Sequence, residues 1–235
     1  MAKITEVKAF FAKIAAILRD NADELARLDG LSGDGDLGAS MAAAGQAMEA
    51  AADMAAGDEI GGNLLKIAMA CNKAAPSTMG TLISGGIMQI AKATKGKTEL
   101  AEEDLAGLPM LFAEGIMARG KAQRGDKTIL DALIPMAEAV KEKFAETGDI
   151  GAAYAAGAIA AEAGAEATKG MLAKIGRANG SANAHRKIWM PVRHFARSLP
   201  KIFYKSGKTG AFFEENELYS GDCGIKGVLC QNISA

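Results

Sequence analysis

Asp29, Asp34 and Asp36 fall within eight residues, separated by Gly30, Gly33 and Gly35 and followed at once by an alanine-rich run. Glycine lets the backbone curl through conformations closed to other residues, so the three carboxylates can converge on one point. Packed that closely they repel one another unless a hard divalent cation neutralises them. The run from Leu37 onward reads as a helix, and its first free N–H groups make an anion site beside the metal. A cation site and an anion site side by side point to a nucleotide phosphate bound through Mg²⁺. A calcium loop fits poorly: an EF-hand loop starting at Asp34 needs a bidentate glutamate at its twelfth position, where Gly45 stands. Mg²⁺, which keeps several waters and completes its shell with carboxylates and phosphates, fits better.

Two further stretches carry polar chemistry. Pro76-Ser77-Thr78-Met79-Gly80-Thr81 precedes the apolar run Leu82–Ile90. Proline and hydroxyls before such a run mark a helix start with spare N–H groups, a second candidate for phosphate binding or an ordinary capped core helix. Arg119 to Thr128 is a basic, glycine-punctuated loop containing Gly120, Lys121, Gly125 and Lys127.

The elements that must position these residues are helical. Residues 5–28 place Val7, Phe10, Phe11, Ile14, Ala15 and Leu18 at helical spacing, which predicts one amphipathic helix ending just before Asp29. Further helices are expected over about Gly38–Ala56, Ile60–Lys73, the run from Leu82, Leu100–Ala118 and Ile129–Glu146, with a mostly helical stretch from Thr147 to Ala173. Acidic residues open the Leu100 helix, as the macrodipole favours. Pro135 lies inside a helix and requires a kink or a compensating partner.

Composition agrees. Hydrophobic residues make up 49 % of the chain and aromatics only 5 %, which favours close-packed helices over sheets. A net charge of −1 gives no basic surface for nucleic acid. Cys71, Cys223 and Cys230 follow no metal or disulfide pattern, which suits a reducing cytoplasm. No signal peptide or long apolar run is found, so a cytoplasmic protein without membrane contact is expected.

With these motifs assembled, residues from about Phe10 to Ala178 resemble the L subunit of dihydroxyacetone kinase, the DhaL-type nucleotide-binding domain. The resemblance rests on Asp29…Asp34-Gly-Asp36-Leu-Gly38, on Met79-Gly80-Thr-Leu opening a helix, on Arg119 to Thr128, and on Gly176-Arg177-Ala178. It implies an all-α antiparallel barrel of about eight helices with ADP or ATP held at one end through two Mg²⁺ ions. It implies Asp29, Asp34 and Asp36 as the metal ligands and the catalytic set. Leu37, Gly38, Ala39, Ser40, Thr78, Met79, Gly120, Ile129 and Arg177 match the family's nucleotide-contact positions, with Ser77 as an added hydroxyl. It also implies phosphoryl transfer to dihydroxyacetone or a related small ketose or triose held by a separate K-type subunit. In some relatives a phosphotransferase-system protein rephosphorylates the bound ADP. The chain departs from the family at Leu37 and Ser40, where His and Asn are frequent, and at Met79, where serine is frequent. Two alternatives stand beside this reading: a regulatory module that binds nucleotide without transferring phosphate, and a domain of the fatty-acid-kinase kind.

The register changes at about Asn179. Residues 179–235 contain both histidines, the only tryptophan and eight Lys/Arg against four Asp/Glu; the first 178 residues carry the remaining 19 against 24. Where the family continues with a Leu-Gly-Glu-Arg segment, an Asp-Pro/Ala-Gly-Ala turn and a last helix, this chain does not. Back-translated from the third base of each codon, Trp189 and Met190 force Asp, and Met190 with Pro191 forces Ala. The same frame permits Leu-Gly-Glu-Arg before them and a stop at Tyr204–Lys205. Residues 179–235 are therefore expected to be a frameshifted tail that replaces the last helix, leaving 1–178 as the DhaL-type domain with an open nucleotide site.

Overall fold

The computed structural model describes residues 1–30 and 33–175. Eight helices carry it: α1 (Ile4–Asp20), α2 (Ala22–Gly30), α3 (Leu37–Asp53), α4 (Ile60–Ala74), α5 (Thr78–Ala93), α6 (Glu102–Gly120), α7 (Leu130–Thr147) and α8 (Ile150–Ala167). Two-residue strands β1 (Ala2–Lys3) and β2 (Glu99–Leu100) pair antiparallel, with Ala2 opposite Leu100. The expected all-α architecture is found. The expected last helix and its replacement by a tail, like Arg177, lie outside the described residues.

The single helix expected over 5–28 is two. Asn21 ends α1, its backbone N–H and its side-chain Nδ2 both donating to Ile17 O, at 3.1 and 2.8 Å, while its own carbonyl receives Leu25 N and starts α2. A short polar side chain that competes for backbone partners breaks the helix although the apolar pattern runs on. Asp29 consequently belongs to the last turn of α2. Leu100, expected to open a helix, is in β2; Ala101 is extended and its N–H is received by Asp104 Oδ2, so α6 starts at Glu102.

Small residues let consecutive helices approach closely and fix their directions. In α5 and α6, Leu82 lies at Gly120 and Gly86 at Phe112; in α7 and α8, Asp131 lies at Gly164 and Val140 at Gly157. Gly61 of α4 meets Ala91 and Lys95, while Gly80 of α5 meets Ala75. Each of these pairs is antiparallel. So is α1 with α3, where Ala15 and Leu18 meet Gly45, and Lys8 Nζ donates to Asp53 O. The helices surround an apolar cavity of about 200 Å³, lined among others by Phe11, Met48, Leu64, Ile87, Leu133 and Tyr154.

Two prolines lie inside helices, and α8 packs against the carbonyl that each leaves without its helical donor. Pro109 has no N–H for Leu105 O, and the buried Tyr154 hydroxyl donates to that carbonyl at 2.8 Å. Pro135 likewise leaves Asp131 O without its helical donor, and there Gly164 brings the α8 backbone against the carbonyl, where a Cβ would overlap it.

Alternating helix directions sort the connections into two ends. The segment 30–37, the turn 74–78, the loop 120–130 and the chain after α8 share one end. The other end is tied by Ile60 N to Lys97 O at 2.8 Å, Gly96 N to Glu59 Oε1 at 2.7 Å and Lys97 Nζ to Asp104 Oδ1 at 2.6 Å.

Candidate functional site

A hydrogen bond from Gly35 to Asp29 and close packing at Gly38 shape the acidic turn. Asp29, 8 % exposed at the end of α2, accepts the N–H of Gly35 on Oδ2 at 2.9 Å, folding the turn back over the helix that leads into it. Gly35 has φ +77°, a left-handed conformation that glycine adopts without strain. Asp36 is the N-cap residue of α3, and its carbonyl receives Ser40 N at 3.0 Å. Gly38, the second residue of α3, is buried against α2, where an added Cβ would overlap Ala22 O and lie 2.9 Å from Ala22 C and 3.0 Å from Ala26 N. That close approach sets the α3 N-terminus against the first turn of α2.

The result is that one carboxylate oxygen from each of Asp29, Asp34 and Asp36 lies within 4.8 Å of the others, with Asp34 and Asp36 exposed. Mg²⁺ binds oxygens at about 2.0–2.1 Å, so two ligands across one ion stand about 4.2 Å apart. The three oxygens thus fit one or two such ions after small side-chain rotations. All-oxygen, all-carboxylate ligation suits a hard cation.

The other expected site residues among those described share the same end of the bundle. Leu37 is half-buried against the core, Ala39 exposed and Ser40 half-buried. Ser77 is the N-cap of α5; its Oγ accepts Gly80 N at 3.2 Å, so the hydroxyl caps the helix, while the Thr78 side chain is exposed. Met79 packs on the core and offers backbone rather than side chain. Gly120 ends α6 against Leu82, and Ile129 is the half-buried N-cap of α7.

Three buried charged residues were missed by sequence reasoning. Asp131, 4 % exposed, accepts Gly125 N at 2.6 Å and Thr128 N at 2.7 Å. Asp126 accepts Gln123 N at 2.9 Å, and Lys127 Nζ donates to Met171 O at 2.7 Å. Burial pushes the Lys127 ammonium below the usual lysine range. A signal was present: Thr128-x-x-Asp131 before an apolar run is a capping-box pattern. Cys71 is buried and its thiol is pushed up to about 11 by burial, which removes it as a nucleophile. Among the described residues no helix is long and apolar enough to cross a membrane.

The DAK2 domain model matches residues 32–188. The chain is 33 % identical over 88 residues to the ADP-binding subunit DhaL of the PEP-dependent dihydroxyacetone kinase of Escherichia coli, covering 37 % of this chain and 42 % of that subunit. It is 37 % identical over 83 residues to the corresponding subunit of dihydroxyacetone kinase 2 of Listeria innocua, 35 % of this chain and 38 % of that one. With D-erythrulose kinase of Mycolicibacterium smegmatis it shares 31 % identity over 170 residues, 72 % of this chain and 29 % of the relative. The match thus spans less than half the length of each of these relatives. Among solved structures, the dihydroxyacetone kinase of C. freundii superposes with a TM-score of 0.59 at 22 % identity, over 82 % of this chain and 34 % of that one, a likeness of fold.

Proposed function

The chain belongs to the DAK2 domain family, and from that premise we propose that it is the nucleotide-binding component of a dihydroxyacetone-kinase-like phosphotransferase. In this reading Asp29, Asp34 and Asp36 hold two Mg²⁺ ions and, through them, the phosphates of ADP or ATP. A K-type partner presents a small ketose or triose as acceptor. The observation that carries the reading is the convergence of three carboxylates beside the N-terminus of α3.

Phosphoryl transfer asks a protein mainly for positioning and charge neutralisation. Bound Mg²⁺ supplies the neutralisation of negative charge on the phosphate oxygens. The chain's own residues do the rest. The Asp29–Gly35 bond and the α2–α3 approach at Gly38 hold the carboxylates in register. The free N–H groups of the first turn of α3 face anions favourably, as do those left at α5 after Ser77 has taken Gly80 N. Leu37, Met79, Gly120 and Ile129 form the wall for the nucleoside, with Arg177 beyond the described residues.

The tail belongs to the same proposal. Residues from about Asn179 are a frameshifted product, so this polypeptide lacks the segment that covers the nucleotide in the family, binds nucleotide more weakly than a chain in the other frame, and transfers phosphate slowly or not at all. Sequencing the gene across codons 175–185 tests this, and an intact native gene that encodes the tail in frame overturns it.

The function is tested by mixing the chain, and a version with residues 179 onward restored to the other frame, with Mg-ATP, a K-type protein and a panel of trioses and tetroses. Phosphorylated acceptor formed by the restored chain supports the transferase reading. Nucleotide binding without transfer by the restored chain favours the regulatory module.

A further inference from the structure

Asp126, Lys127 and Asp131 are at most 5 % exposed, yet none belongs to the carboxylate cluster. Charged groups stay buried only when bonded, and the bonds here all serve one end. Asp131 pins the loop from inside by taking Gly125 N and Thr128 N. Lys127 has φ +59°, a left-handed conformation unfavourable for a residue with a Cβ, and its ammonium is turned inward to Met171 O at 2.7 Å. Beside it, Lys174 N donates to Asp126 O at 3.2 Å, and Lys174 Nζ lies 3.4 Å from Asp126 Oδ1. Two ties therefore seat the chain after α8 on the loop before α7. That loop starts at Gly120 and ends at Ile129, and the seated segment runs on in sequence towards Arg177. Local backbone strain held by a buried charge marks a conformation kept for use.

We propose that Lys127 is a positioning residue for the nucleotide: without touching it, Lys127 seats residues 171–174 on the loop 121–129 and so holds the Gly120–Ile129 wall in its binding geometry. The proposal rests on the nucleotide-binding reading above. It assigns Lys127 to the nucleoside half of the site and leaves the metal half to the aspartates.

Lys127→Met keeps an unbranched side chain one atom shorter and removes its donors. Three quantities are measured on the full chain: ADP affinity in Mg²⁺ by calorimetry, Mn²⁺ affinity without nucleotide by paramagnetic resonance, and amide exchange over 171–174. The expected result is ADP binding weakened about tenfold or more, Mn²⁺ binding unchanged, and faster exchange at 171–174 that ADP no longer slows. Tyr154→Phe, at the other end of the bundle, controls for general loosening and should leave both affinities unchanged. If Lys127→Met fails to fold, Asp126→Asn weakens the second tie and should reproduce the pattern with a smaller loss. ADP affinity equal to the parent's in the folded variant overturns the proposal. So does a parallel loss of ADP and Mn²⁺ binding, or a matching ADP loss in Tyr154→Phe. A chain with residues 179 onward restored to the other frame that binds Mn²⁺ but no ADP overturns the nucleotide reading itself, which separates the two failures.

Discussion

Gly38→Ala adds one methyl group at the seam between α2 and α3. The new Cβ would overlap Ala22 O and sit 2.9 and 3.0 Å from Ala22 C and Ala26 N, where ordinary contact is 3.4–4 Å. All three are backbone atoms of one helix, so no side chain can rotate away; α3 has to retreat from α2 by on the order of 1 Å. Overpacking of this kind costs about 1–3 kcal/mol, set against a gain of about 0.5–1 kcal/mol from replacing glycine inside a helix. The larger effect is on the site, because Asp36 travels with α3 and Asp29 with α2. A misplacement of about 1 Å can cost a site about 10²-fold. The variant should lose Mn²⁺ and Mg-ADP affinity far more than it loses unfolding stability, as read by urea denaturation and calorimetry on the same sample. Gly107→Ala in α6, where a Cβ meets nothing within 4 Å, is the control and should leave the site unchanged while slightly stabilising the fold. Gly38→Ala binding metal and nucleotide like the parent would refute the idea that the α2–α3 approach sets the carboxylate geometry.

Other predictions concern the frame around the site. Tyr154→Phe leaves the Leu105 carbonyl without a donor and should cost about 1–3 kcal/mol in urea unfolding. In a Pro109→Ala background an amide N–H becomes available to that carbonyl, so the cost should shrink; equal costs in both backgrounds would sink the compensation argument. The Glu59 carboxylate is held below its ordinary 4.5, first by the Gly96 N–H and then by that of Gly62. Because its folded pKa is depressed, its stabilisation is present above pH 4.5 and is lost as the pH falls through the folded value. Acid unfolding of Glu59→Gln should therefore show a flatter loss of stability below pH 4.5 than the parent, and superimposable acid limbs would contradict this.

The convergence of the three carboxylates was legible because it is local. Asp29, Asp34 and Asp36 sit in a glycine-spaced turn that can bring the carboxylates together without long-range help, and the structure places them within 4.8 Å of one another. Helix class followed from 3.6-residue spacing, and the antiparallel arrangement from the family resemblance. The break at Asn21 was not legible, since the apolar stripe continues across it and only the side-chain bond to Ile17 O interrupts the helix. Nor was the close packing at Asp131 O, one turn before Pro135, which is made by Gly164 of the next helix. The loop 120–130 was visible as a motif but not as a structure. Its buried Lys127 reads in sequence like an exposed basic residue, and only its link to Met171 shows otherwise.

The most direct test of the account is an ADP titration of the full chain in Mg²⁺ and again in a chelator, repeated with Asp29→Asn. Asparagine keeps an oxygen for Gly35 N and removes the charge. The account predicts ADP binding that requires Mg²⁺ and is lost in Asp29→Asn with folding intact. ADP binding equal in Mg²⁺ and in chelator, or undiminished in Asp29→Asn, would contradict it.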